Sequence, residues 1–198
     1  MIGYPDGRKP KKNFEKKSAV KKENKIFNSA NRGMNFENDI NLSNEYYLDK
    51  GLLLVYKRPT PINIVKVDYS KRSARITDAY FEKQSTTDYN GVFQGKYLDF
   101  EAKSTKNKTS FSLSNIFKHQ IQHLKNVIKN GGIAFFLIRF EAHDKVFLID
   151  AQWVISFFEN GSRKSIPYET FLKEGIEIKQ GFNPRLHYLD AVIKKYFT

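Results

Sequence analysis

The chain has 198 residues, enough for one domain with a sizeable core, and its 40% hydrophobic and 15% aromatic content excludes a wholly disordered polymer. It has no cysteine, which excludes disulfides, thiolate chemistry and Cys-based zinc sites. The net charge of +13, from 34 Lys and Arg against 21 Asp and Glu, favours a polyanionic partner, because each basic group near a phosphate releases condensed counterions.

Residues 1–30 hold nine Lys and Arg against three acids and show no sustained apolar periodicity. The sequence therefore predicts a flexible basic tail, unable to bury enough surface to offset its own ordering entropy. It is either a solubilising segment or an arm that touches DNA backbone. No apolar segment follows the basic N-terminus, so no secretory signal is expected. The longest apolar run, the six residues Ile133–Ile138, falls far short of a membrane span. A soluble, cytoplasmic protein with no membrane partner is the expectation.

From Asn31 the pattern is globular. Phe36, Ile40 and Tyr47 recur at helical spacing, and Gly51 closes the segment. Leu52–Tyr56 reads as a strand. The stretch Pro59–Ser85 reads as an inserted hairpin turning at Lys71-Arg72-Ser73, with Lys66, Lys71, Arg72 and Arg75 along it. So charged an insertion is expected to project from the core. Turns are predicted around Asn90-Gly91 and at Gly95, followed by a strand over Lys96–Lys103. A helix is expected from about Ser114 to Gly131-Gly132, then strands Ile133–Phe140 and Val146–Asp150 and a helix over Ala151–Glu159. Two further helices, Tyr168–Glu174 and Leu186–Phe197, complete the chain. This order predicts an α/β fold in which a mixed central sheet is flanked by helices. The domain plan is a tail over 1–30 and one domain over 31–198, with the hairpin inserted at about 59–85.

The informative chemistry is Asp88, twelve residues, then Glu101-Ala102-Lys103. Along a strand, Leu98, Phe100 and Ala102 face one way and form a core face, while Asp99, Glu101 and Lys103 face the other. A carboxylate and an ammonium then lie side by side, about 6–7 Å apart along the strand. With Asp88 brought alongside, two carboxylates would bind a hard divalent cation, and Lys103 would stabilise charge developing on a phosphate. So short a pattern is more often a surface ion pair. Asp99 shares the face and is a rival ligand, ranked lower because it lies nearer the start of the strand. Gln120 falls inside the apolar stripe of the following helix, so its amide needs partners: a backbone group, or the metal site. Glu37 borders the stripe of the first helix and either enters a cleft as a further catalytic carboxylate or meets solvent. His119 and His123 have the i, i+4 spacing of a zinc pair, but Gln-Ile-Gln stands between them and the general-base glutamate is missing, so zinc is discounted. No P-loop or dinucleotide fingerprint occurs, and no nucleotide cofactor is expected.

Five segments, Asn31-Arg32-Gly33-Met34, Lys57-Arg58-Pro59-Thr60-Pro61, Ser85-Thr86-Thr87-Asp88-Tyr89-Asn90-Gly91, Asp99-Phe100-Glu101-Ala102-Lys103 and Gly161-Ser162-Arg163-Lys164-Ser165, together resemble the RecU family of Holliday-junction resolvases, in order and spacing. The resemblance covers the chain from about Asn31 onward and implies the restriction-endonuclease-like fold with its PD-(D/E)xK core. One departure from the superfamily pattern is that Thr87, not Pro, precedes Asp88, as it does in RecU proteins. The resemblance implies that Asp88 and Glu101 ligate Mg2+ (or Mn2+), that Thr86 and Gln120 complete the metal environment, and that Lys103 stabilises the transition state. It makes the Pro59–Ser85 hairpin a stalk directed at the junction centre and matches Arg32, Lys57 and Arg72 to basic positions that handle DNA or a recombinase; Lys71, in the basic hairpin turn, is a further expected DNA contact. A homodimer is implied, with a recombinase or branch-migration helicase as a possible further partner.

The resulting expectation is a metal-dependent endonuclease that nicks two strands of a four-way junction to leave 5′-phosphate ends. A non-catalytic basic module that binds DNA or RNA explains the charge and the hairpin equally well. A sequence-specific duplex endonuclease with the same core is the other alternative.

Overall fold

A computed structural model describes residues 23–70, 72–81, 86–161 and 163–197, with side chains described from residue 36 onward. Residues 33–198 form one compact unit. Helix α1 is assigned from Glu23 to Asp49, so it runs back into the segment read above as tail. Most of that tail, residues 1–22, and Lys71 of the hairpin turn lie outside the described residues.

Six strands make the central sheet: β1 (Leu54–Lys57), β4 (Tyr89–Phe93), β5 (Lys96–Thr105), β7 (Ile133–Phe140), β8 (Lys145–Asp150) and β10 (Ile176–Glu177), in the order β1-β4-β5-β7-β8-β10. All neighbours are antiparallel except β5 and β7. That parallel step requires a crossover, supplied by β6 (Ser110–Ser112), a short 3-10 turn (Leu113–Asn115) and α2 (Lys118–Lys129). The sheet is thus mixed, as expected. Strand β6 pairs with β9 (Ser165–Pro167), and β2 (Ile62–Asp68) with β3 (Arg75–Phe81).

Both faces of the sheet are covered, which explains the unbroken apolar run of β7. Phe135 and Leu137 point to a core shared with α1 (Phe36, Ile40, Tyr47) and α5 (Tyr188–Tyr196). Ala134, Phe136, Ile138 and Phe140 point to a second core under α2, α3 (Ala151–Asn160) and α4 (Tyr168–Glu174). Phe100 of β5 lies fully buried between the rings of Tyr89 and Phe135, with centroids at 4.9 and 4.6 Å. Asp39 on α1 ties the layers together, receiving Arg139 Nη1 of β7 at 2.9 Å and Arg185 Nε at 3.2 Å.

Three local expectations need correction. Asn90-Gly91 is not a turn but mid-strand in β4. Gly91 is required because β1 lies so close that a Cβ would sit 2.0 Å from the Leu54 carbonyl oxygen. The turn falls at Gln94-Gly95, whose successive positive φ angles of 46° and 76° suit a two-residue hairpin loop between Phe93 and Lys96. The second helix begins at Lys118, not near Ser114, with the 3-10 turn ahead of it. The first strand is Leu54–Lys57, two residues later at its start than Leu52–Tyr56.

The inserted hairpin is present as β2–β3, bonded only to itself among the described strands. Every residue of β3 is exposed, and only Asn63 and Val67 of β2 are partly covered. Among the described residues no helix is long and apolar enough to cross a membrane.

Candidate active site

The ladder between β4 and β5 ends at the pair Tyr89–Phe100. Beyond it the strands part, and the Ala102 N–H, left without a ladder partner, donates to Asp88 Oδ2 at 3.1 Å. In return, the Asp88 N–H donates to Glu101 Oε2 at 3.1 Å. The two carboxylates are therefore brought together by the parting of one strand pair, through exchanged backbone and side-chain hydrogen bonds.

Alternation along β5 places Asp99, Glu101 and Lys103 on the face that looks toward α2. That face is covered rather than open to solvent. Gln120 and His123, one helical turn apart on α2, meet Glu101 and Asp99, two residues apart on β5: Gln120 Nε2 donates to Glu101 Oε1 at 2.6 Å, and His123 Nε2 lies 2.9 Å from Asp99 Oδ2. Lys103 Nζ is 2.6 Å from the same Glu101 oxygen and 5.9 Å from the Phe117 ring centroid. Gln120 Oε1 accepts from the Phe117 N–H at 3.0 Å, capping the start of α2. A rotated amide would lose both bonds, so Gln120 presents nitrogen, not oxygen, to Glu101 and acts on the site by holding that carboxylate.

Burial penalises the charged forms here. The Glu101 pKa is pushed up to about 7, first by desolvation and then by the Asp88 charge, with Lys103 and Gln120 pulling the other way. Asp88 is also raised, chiefly by burial and further by Glu37, while the Ala102 N–H, Lys103 and a hydrogen bond with Glu101 oppose the rise. Two acids held together out of water carry more negative charge than one lysine offsets. The Thr86 hydroxyl, just before them in the chain, is buried with no hydrogen-bond partner. Two carboxylates and an orphaned hydroxyl suit a hard divalent cation. Among the described residues no group of three or more His, Asp and Glu side chains converges to hold a metal, so an ion here would rest on the Asp88–Glu101 pair and on oxygens from hydroxyl, water or phosphate.

Beside this constellation lies a groove of about 400 Å³ lined by Phe36, Glu37, Lys103, Ser114, Asn115 and Phe117 among others. Glu37 enters it and forms an ion pair with Lys57, joining two residues singled out from sequence for different reasons. Arg72 is exposed where β2 turns into β3. Arg32 lies on α1 ahead of the described side chains.

Asp99 is fully buried and engaged by four side chains. It receives Thr87 Oγ1 at 2.5 Å on one oxygen, and Arg58 Nη2 and the Tyr97 hydroxyl, both at 2.8 Å, with His123 on the other. Three of these partners crowd one oxygen and Thr87 holds the other, so the carboxylate is committed to this network. Sequence reading missed Arg58, Thr87, Tyr97 and His123 as its partners. The available signal was Asp99 itself, since an acid sharing a covered face must find donors.

The family model described as Recombination protein U (RecU) matches residues 31–194, a span that contains all five segments noted in the sequence. The chain is 48% identical over 200 residues to the Holliday junction resolvase RecU of Oceanobacillus iheyensis, covering 99% of this chain and 100% of that one. It is 51% identical over 175 residues to the protein of the same description from a Geobacillus species, strain WCH70, covering 86% and 87%. Among solved structures it is similar to Hjc, a Holliday junction resolvase of Archaeoglobus fulgidus, with a TM-score of 0.43 and 14% identity over 73% of this chain and 94% of the other. By the family match and by identity along nearly its whole length, the chain belongs to the RecU family.

Proposed function

We propose that this protein is a Mg2+-dependent endodeoxyribonuclease that resolves four-way DNA junctions by cutting opposed strands, leaving 5′-phosphate and 3′-hydroxyl ends. The observation that carries this reading is the buried meeting of Asp88, Glu101 and Lys103, two carboxylates linked by exchanged hydrogen bonds with an ammonium beside them. The relatives described as Holliday junction resolvases support the choice of substrate.

Asp88 and Glu101 would hold the ion, with the Thr86 hydroxyl as a further oxygen and Gln120 fixing Glu101 from behind; Mn2+ fits the same donors. Such an ion supplies Lewis acidity and a bound water of lowered pKa. The residues supply the rest. The Lys103 ammonium, paired with Glu101, would neutralise charge gathering on the phosphate oxygens. The Lys57–Glu37 pair borders the groove, and its lysine is available to a DNA phosphate once the pair opens. The hairpin, uncovered on both faces and bearing Lys66, Arg72 and Arg75, is suited to shape-based contact with branched backbone. A homodimer would present two such sites to opposed strands.

The test uses purified protein with labelled four-way junction and matched linear duplex, with and without Mg2+. Symmetric nicks confined to the junction and dependent on the metal are expected. A junction that is bound but left uncut in both Mg2+ and Mn2+ would overturn the reading, and equal cleavage of linear duplex would point to a duplex endonuclease instead.

A further inference from the structure

The network around Asp99 has a consequence for the metal site beyond its own stability. Asp88 is the residue on which the constellation turns, yet it lies in the segment before β4, beyond the last ladder pair. Something other than the sheet must fix it. Its main chain is held at two points: its N–H donates to Glu101, and its carbonyl accepts the Arg58 N–H at 2.7 Å. The Arg58 guanidinium and the Thr87 hydroxyl both end on Asp99, one on each carboxylate oxygen. Residues on either side of Asp88, one next to it in the chain and one across the β1–β4 pairing, are thus tied to a single buried carboxylate. That carboxylate is itself clamped by Tyr97 and by His123 of α2.

We infer that Thr87 and Asp99 form a positioning device for the metal site, in which the Thr87–Asp99 hydrogen bond sets the direction in which Asp88 and Thr86 present their oxygens. Thr87 is fully buried and fastened inward. Its neighbours on both sides are left to carry the orphaned Thr86 hydroxyl and the Asp88 carboxylate. The device also accounts for the residue type. Proline at this position would limit the backbone through its ring. Threonine has no such restraint, and here a hydrogen bond to a charged, immobile acceptor provides it. Asp99 is therefore a positioning residue that touches neither metal nor DNA, although it shares a strand face with Glu101 and Lys103.

This inference rests on the proposed metal site, and the experiment separates the two. Wild type, Thr87→Ser, Thr87→Val, Asp99→Asn and Thr87→Val/Asp99→Asn are compared by calorimetric titration with Mg2+ in the absence of DNA, by thermal melting, and by the Mg2+ concentration needed for half-maximal junction cleavage. Wild type and Thr87→Ser should behave alike. Thr87→Val, nearly isosteric but without the hydroxyl, should bind Mg2+ about 10–100-fold more weakly. Its half-maximal Mg2+ should rise in step, while cleavage at saturating metal recovers. The double variant should be no weaker than Asp99→Asn alone, because both changes break one link. Wild type that neither takes up Mg2+ nor cuts would overturn the metal site and this inference with it. Wild type that does both, beside a Thr87→Val of unchanged Mg2+ affinity, would overturn the positioning role alone, even if the variant melts at lower temperature. Should Thr87→Val fail to fold, Thr87→Ala carries the same comparison.

Discussion

Replacing Glu101 by glutamine should remove a pH dependence that the metal-free protein carries in its stability. Glu101 is fully buried, and its pKa rises from 4.5 to about 7, mainly because burial disfavours the carboxylate. The folded protein thus holds this proton more tightly than the unfolded chain does. The stabilisation is complete below pH 4.5, is lost as the pH climbs to about 7, and changes no further above that. The full loss corresponds to about 3 kcal/mol for this single group. In a domain of this size that is roughly 6–12 °C in melting temperature. Glutamine keeps the shape and has no charge to acquire. The wild-type and Glu101→Gln melting curves, recorded without metal by circular dichroism, should therefore nearly coincide near pH 4.5 and diverge toward about pH 8, with the variant higher. Metal competes with the same proton, so apparent Mg2+ affinity of the wild type should fall about tenfold for each pH unit below 7. Parallel melting curves across the range would refute the account of a carboxylate strained by burial.

Asp88→Asn should abolish junction cleavage while leaving binding in a gel-shift assay within about threefold, since phosphate contacts, not this acid, carry affinity. Junction affinity should drop roughly a thousandfold between about 50 and 200 mM salt, measured by fluorescence anisotropy, and a flat response would contradict a backbone-dominated interface. Phe100→Ala, which empties a fully buried site between two stacked rings, should cost about 3–5 kcal/mol in urea unfolding. A loss below about 1 kcal/mol would mean that this packing does not hold β5 in place.

Much of this site could be read from residues alone because strands alternate. Once Lys96–Lys103 is a strand, Glu101 and Lys103 must share a face opposite Phe100, and Gln120 in an apolar stripe must find a partner; the structure joins all three. What escaped the sequence depended on distance along the chain. Nothing near Asp99 announces that Arg58, 41 positions earlier, and His123, 24 later, converge on it. Gly91 was misread because glycine marks both a turn and a close approach of strands, and only the position of β1 distinguishes them. The start of α2 was placed near Ser114, whereas the boundary is at Phe117, capped from inside the helix by Gln120 reaching back. The strands of the hairpin, β2 and β3, were legible from the Pro-Thr-Pro opening, the alternation through Ile62–Val67 and the basic turn between them.

The uncovered hairpin has an implication for how this protein tolerates change. Ile62, Ile64, Val65, Tyr80 and Phe81 all stand exposed there, and burying none of them deeply means that exchanging any one forfeits little of the energy that holds the main sheet together. Substitutions in β2 and β3 are accordingly almost free of folding consequences, in contrast to those at Phe100 or Tyr89. A library confined to that segment would therefore carry little background from unfolded clones.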